Sequence, residues 1–470
     1  MSRDLLRRSI SRRSFVRGSS AALAATLSPA TLRRIEAAAQ SSTPTTNIRG
    51  TKLRILQWSH FVPAYDTWFD AFAKAWGEAN GVEVTVDHIN TADVPATIAA
   101  EISAGEGHDL VEHIASLAQY EKSMLDMTDV VQEASARHGE QLAMARKNSF
   151  NPTTNRFYGF CHGYAPDPGD YRKNLWEKAG YPNGPSTWDE LLEGGTKIRQ
   201  EQGVQMGIGM SNEIDSRMAA QTLMWAYGAA IQDENENVVI NSPETVAAVE
   251  YMAKLFKNCM TDEVFGWNAA SNNQLLIQGQ ASYILNSISA YRTAQEAQPD
   301  VAKDIFFTRP LVGPAGPERA LAHGHAVFIY QIPNHAEYPD TAKEFILHLV
   351  DNYKDACYQS KFYNFPAWPS LTPELFAEGG WLDNDPYGSE PPDKLAVLKD
   401  ANDWTTNLGW PGPANAAIGE IFNLPILPNM MARAARGEQT AAESVAQAET
   451  EVKEIFERWK AEGLIGGGQA

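Results

Sequence analysis

Two carboxylates, Asp167 in "YAPDPGDYR" and Glu213 in "MSNEIDSR", are the first candidates for chemistry. A pair of acids about 5–10 Å apart, one with its pKa raised by burial, can cleave a glycosidic bond. Other catalytic signatures are weak. His323-Gly324-His325 supplies half of a metal site without an adjacent ligand cluster, so no metal is expected. Gly207-Ile208-Gly209 lacks the third glycine of a dinucleotide turn, and no nucleophile elbow occurs. No cofactor is expected. Cys161, Cys259 and Cys357 are widely spaced, with no CxxC, which gives no support to zinc or dithiol redox chemistry. Buried free thiols are the expectation. Recognition has better raw material than catalysis, because the chain holds 12 Trp and 16 Tyr. A sugar offers apolar C–H faces to aromatic rings and a rim of hydroxyls to carboxylates and amides. Polar groups buried without partners cost about 1–3 kcal/mol each, so such a rim is selective.

The elements that would position these residues form a β-α-β-α-β series. "LRILQW" (53–58) reads as a strand, and the following helix carries Trp68, Phe69, Phe72 and Trp76 on one face, with Asp66 as its cap and Gly81 at its stop. "VEVTVDHI" (82–89) alternates as a half-buried strand should; a helix over 93–104 ends at Gly105, and "HDLVEHI" (108–114) is the next strand. Thr187 and Glu190 predict a capping box, and Ser242-Pro243-Glu244 opens another helix. "AHGHAVFIYQI" (322–332) reads as a strand, 339–350 as a helix, and Ser444 to Trp459 as a last amphipathic helix. Such series build sheets flanked by helices, and ligands meet them at the strands' carboxyl ends.

The first 39 residues have another character. Arg3, Arg7, Arg8, Arg12, Arg13 and Arg17 lead into a short, mild apolar run broken by Pro29, with Ala37 to Ala39 after it. This is the pattern of an export signal, well short of the roughly 20 apolar residues that span a bilayer. Ser11-Arg12-Arg13-Ser14-Phe15 resembles a twin-arginine signal, so the twin-arginine translocation machinery is an expected partner and the destination is periplasmic or extracellular. The region has no Cys, so no lipid anchor is expected. Residues 40–51 read as a linker, and 464–470 as a flexible tail. The whole chain carries −19, and the remainder is more acidic still, because residues 1–39 hold eight Arg against Asp4 and Glu36. That surface disfavours nucleic acid and anionic lipid.

Four stretches carry a resemblance to the sugar-binding group of extracellular solute-binding proteins that serve ABC importers. They are "AKAWGEANGVEVTVD" with "ISAGEGHDLVEHIASLAQY"; "NRFYGFCHGYAPDPGDYRKNLWEKAGYPNGPSTWDELL"; "LLIQGQASYILNSISAYR"; and "RALAHGHAVFIYQIPNHAEYPDTAKEFILHLVDN". The resemblance implies an α/β chain of two lobes, each a mainly parallel sheet flanked by helices, joined by hinge strands and closing on a ligand. One lobe would comprise 52–162 with about 326–358, the other about 163–325 with about 359–463. It implies a monomeric, non-enzymatic subunit that delivers a mono- or oligosaccharide or a polyol to an ABC permease. Carried over, its ligand contacts fall on Trp58, His60, Phe61, Ser116, Gln119, Tyr164, Asp167, Asn212, Glu213, Trp267, Asn286, His325 and Trp368. The family's frequent Asn-Gly-Ser-Trp loop is Asn286-Ser287-Ile288-Ser289 here, and His325 stands where a stacking Trp is common. A smaller solute or a cation is therefore also consistent with the sequence, as is the alternative of an exported glycoside hydrolase.

Overall fold

Alternation at Leu53, Ile55 and neighbouring residues builds the first strand, and the computed structural model, which describes residues 27–41 and 43–466, places it at the heart of a sheet. Strand β1 (Lys52–Trp58) pairs in parallel with β2 (Glu83–Ile89) and β3 (Leu110–His113). The helix Ala64–Asn80 lies between the first two and buries Trp68, Phe69, Phe72 and Trp76, as its periodicity requires. Gly81 ends it at φ 70°, a left-handed cap that costs a glycine little. The helix begins two residues before Asp66, whose carboxylate instead accepts the His60 backbone N–H at 3.0 Å.

After a short hairpin of β4 (Phe150–Asn151) and β5 (Arg156–Phe157), β6 (Phe160–Pro166) enters the first sheet and runs straight into β7 (Gly169–Arg172) of a second sheet. That sheet adds β8 (Gln205–Gly207), β9 (Ala281–Leu285) and β10 (Ile305–Thr308) in the order β10-β7-β9-β8. The chain returns along β11 (Ala322–Gln331), and the first sheet is completed by β12 (Phe365–Pro366), with β13 (Thr405–Thr406) alongside β11. Its main order is β12-β6-β11-β3-β1-β2. The expectation of parallel sheets holds for β1, β2 and β3, and for β8 with β9, whereas β6 and β11 are antiparallel to each other and β7 is antiparallel to both neighbours. The cause is the crossing itself: strands that leave a lobe and return to it run in opposite directions.

Caps behave as their residue types dictate. Thr187 accepts from the Glu190 N–H at 3.1 Å, while the Glu190 carboxylate turns to the Ser186 N–H at 2.7 Å rather than to Thr187. Ser242 caps the helix Pro243–Cys259, and Thr440 with Glu443 makes a full capping box on Ala441–Ala461. The segment after β12 shares the apolar core of the first sheet and also reaches the helix Ser289–Ala297, where Arg292 pairs with buried Asp385 at 2.6 Å. Residues 29–41 form a helix that packs Ile35, Ala38 and Ala39 against Ala64–Asn80, with Arg34 3.4 Å from Asp355. Cys161, Cys259 and Cys357 are free and buried. Arg12, Arg13 and Phe15 lie outside the described residues. No helix among the described residues is long and apolar enough to cross a membrane.

Candidate functional site

The strands that join the lobes also carry the site. Along the β6–β11 ladder, Gly324 faces Pro166 and Ala326 faces Ala165, so His325 is an extra residue, bulged out of the register. Such bulges re-aim a side chain. Here the bulge sends His325 to Asp167, just past the end of β6, whose carboxylate accepts from Nδ1 at 2.9 Å. Nε2 of the same ring lies 3.8 Å from Oδ1 of Asp215 in the first turn of the helix Ile214–Ala226. Oδ2 of Asp215 accepts from Asn272 at 2.9 Å and Asn286 at 3.3 Å. Phe61, shortly after β1, and Tyr363, shortly before β12, add rings that lie 6.3 Å apart and each 6.4 Å from that of His325, close to mutual right angles. Lys361 and Phe362, immediately before Tyr363, hold φ of 54° and 66°. A bulky residue adopts that conformation only where its surroundings impose it, and here the turn delivers Tyr363 and Asn364 to the cleft.

Electrostatically the site is acidic and buried. Asp167, Asp215, His325 and Tyr363 are all at most 5% exposed. Burial, then the charges of Glu213 and Asp167, hold the Asp215 carboxyl above its usual range. Asp170 on β7 is raised by burial and by Asp167 and Asp215 in turn. Next to them His60, pushed down to about 3 by burial, is neutral: it accepts from the Val62 N–H and donates Nε2–H to Asn364 at 2.8 Å.

Of the residues expected from the sequence, Asp167, Asn286, His325 and Phe61 come together here. Trp58 and His60 stack behind them at 4.8 Å in the first lobe's core. Glu213 lines the same helix start but uses both oxygens as the N-cap of Ile214–Ala226. It is therefore not free to work with Asp167 as an acid pair. Asn212 is exposed and accepts from Arg217 at 2.5 Å, and Trp267 is half-buried with its carbonyl bonded to Ser211. The remaining four are engaged elsewhere. Ser116 bonds Tyr158 and the Ala414 carbonyl, Gln119 packs on Gly419, Tyr164 donates to Asn402, and Trp368 stacks on Phe160 in the core. Sequence reasoning missed Asp170, Asp215, Asn272 and Tyr363. The first two lie within three residues of Asp167 and Glu213, so the signal was proximity to sites already marked. A cavity of about 640 Å³ near Arg309, Asp400 and Trp404 lies apart from all of these residues. Among the described residues no three His, Cys, Asp or Glu side chains gather into a metal site.

Residues 67–386 match the bacterial extracellular solute-binding protein family. Solved structures agree on the fold. T. maritima MalE3 with maltose bound has a TM-score of 0.71 at 19% identity, covering 86% of this chain and 100% of that one. A solute-binding protein of Agrobacterium radiobacter K84 in complex with ribitol has a TM-score of 0.69 at 18% identity, covering 87% and 100%. A sugar transporter of Arthrobacter chlorophenolicus A6 with bound laminaribiose gives 0.70 at 17% identity, covering 86% and 99%. Over 156 residues, 32% of this chain, the sequence is 28% identical to a protein named as a binding protein in Brucella abortus (strain 2308). The match spans 36%, about a third, of that relative's length. With its two crossing strands and a family match across most of both sheets, the chain belongs to the bacterial extracellular solute-binding proteins.

Proposed function

We propose that the protein captures a small hydroxyl-bearing solute, a sugar or polyol, between its lobes outside the cytoplasmic membrane and hands it to an ABC permease. The carrying observation is convergence: Asp167 and His325 at the crossing strands, Asp215 and Asn286 next to the second sheet, and Phe61 and Tyr363 next to strands β1 and β12 of the first meet at one place. A solute bridging such groups stabilises the closed arrangement over the open one, which gives a permease two states to tell apart. The maltose, laminaribiose and ribitol bound by relatives of the same fold support this solute class. Export through the twin-arginine route at Arg12, Arg13 and Phe15 is part of the same proposal. Asp167 and Glu213 take no hydrolytic role in it, because Glu213 is spent on the helix cap.

A melting screen over sugars, polyols and their amino derivatives tests the proposal. A solute at 100 times its Kd stabilises the fold by about 2.7 kcal/mol, an upward shift of several degrees at most for a chain of this size. Small-angle scattering with that solute should show one compact form. No melting shift across the screen, with an unchanged scattering profile, would overturn solute capture.

A further inference from the structure

Three buried carboxylates, Asp167, Asp170 and Asp215, gather where β6, β7 and the helix Ile214–Ala226 meet, and two of them have incomplete hydrogen bonds. Both oxygens of Asp170, Oδ1 of Asp215 and the Tyr363 hydroxyl are buried without a hydrogen-bond partner. Each belongs to a side chain at most 5% exposed. Native proteins leave few such atoms, and four gathered at one place call for a donor-bearing partner there. Three of the four can only accept when the carboxyls are ionised, so the missing group is rich in donors. A hydroxyl donates once, whereas an ammonium donates three times from a single atom and brings the charge that buried carboxylates need. His325 is the basic group in contact with the cluster, and a single imidazole balances at most one of Asp167, Asp170 and Asp215. Phe61, Tyr363 and His325 meet nearly at right angles beside these acids. Aromatic faces next to carboxylates are the usual surroundings of a bound cation.

We propose that the captured solute carries a protonated amine on its hydroxyl-bearing frame, held by Asp167, Asp170 and Asp215 beside the rings of Phe61 and Tyr363. This rests on the solute-capture reading and narrows its substrate class to amino sugars and amino polyols. The charged and titratable groups facing the cluster are Glu213, Arg217, Tyr283, Tyr363 and His325. Burial and mutual repulsion hold Asp170 and Asp215 above the usual carboxylate range. A cation arriving there displaces protons, which a neutral solute does not.

Titration calorimetry on the full chain at pH 7, with glucosamine against glucose and glucamine against sorbitol, tests this directly. At least one amine should bind about 100-fold or more tightly than its neutral partner, a difference of about 2.7 kcal/mol. Its apparent heat should change with the buffer's ionisation enthalpy, reporting proton release. Asp215→Asn and, separately, Asp167→Asn should each weaken the amine at least about tenfold more than they weaken its neutral partner. Melting curves identify any variant that fails to fold, and the wild-type pairs carry the test by themselves. Neutral partners that bind as tightly as the amines overturn the inference and leave solute capture standing. Absence of binding by all four probes up to ~10 mM, a ceiling near 3 kcal/mol, also overturns it, and the broader melting screen then decides solute capture separately.

Discussion

A histidine that meets no hydrogen-bond partner is informative about pH. His323, two residues before the site's His325, is fully buried against Trp225 with ring centroids 4.6 Å apart, and neither nitrogen is bonded. Burial, with a small contribution from His325, lowers its pKa from 6.5 to about 3. Above pH 6.5 the folded and unfolded chains both hold it neutral, and it contributes nothing to pH dependence. As the pH falls from 6.5 toward 3 only the unfolded chain takes up the proton, so stability is lost across that window and no further below it. His323→Phe should abolish this loss. The difference in unfolding free energy between wild type and variant should change by up to about 1.4 kcal/mol per pH unit between pH 6 and 4, read by urea denaturation. Parallel curves for the two proteins would contradict burial of a neutral imidazole.

At the scale of elements, the helix of residues 29–41 makes the clearest forecast. Ile35 is 3% exposed and belongs to the same apolar cluster as Trp68 and Trp76. Ile35→Ala should cost about 2 kcal/mol, seen as a lower Tm, whereas an unchanged Tm would mean the helix is not part of the folded lobe. The sequence pattern assigns residues 29–39 to an export signal and 40–41 to a linker, and small residues with neighbouring arginines read the same way in a cleavage region and on a docked helix. Elements with a strong period or cap were legible: Ala64–Asn80, Val94–Ala104 and Pro243–Cys259 lie where the spacing of apolar residues and the caps put them. The site was legible only in part. Asp167 and His325 fall on strand ends that the pattern reveals, but their pairing depends on a one-residue bulge that no local propensity announces. Tyr363 depends on two positive-φ residues, Lys361 and Phe362, neither of a type that advertises a turn. Trp58 and Trp368 sit in aperiodic sequence and are core residues all the same, because packing across a sheet is decided by partners distant in the chain.

At the scale of the whole molecule, the two larger sheets, an acidic surface and three free thiols set the behaviour in solution. Burial raises Cys161 and Cys357 well above the usual thiol range and pushes Cys259 up to about 11. Thiolate is the reacting form, so the native protein should be inert to a thiol-specific reagent at neutral pH, and unfolding in guanidinium should expose three reactive groups. Fast reaction of any thiol in the native state would place that cysteine at a surface. A chain without disulfides can complete both cores under reducing conditions, which suits a route that moves folded cargo.

The bond between Asp167 and His325 joins the two strands about which the lobes must turn. A door is usually latched far from its hinge pins, where a small force has the longest arm. In the proposed capture the grip lies at the pins, where contact with a solute exerts little leverage but moves almost nothing when the lobes swing. The grip can therefore form while the jaws are still open, and closure can follow it. The rate of capture is then set by access to the hinge rather than by the chance of finding the jaws shut, and tightening this grip should slow release more than it speeds arrival.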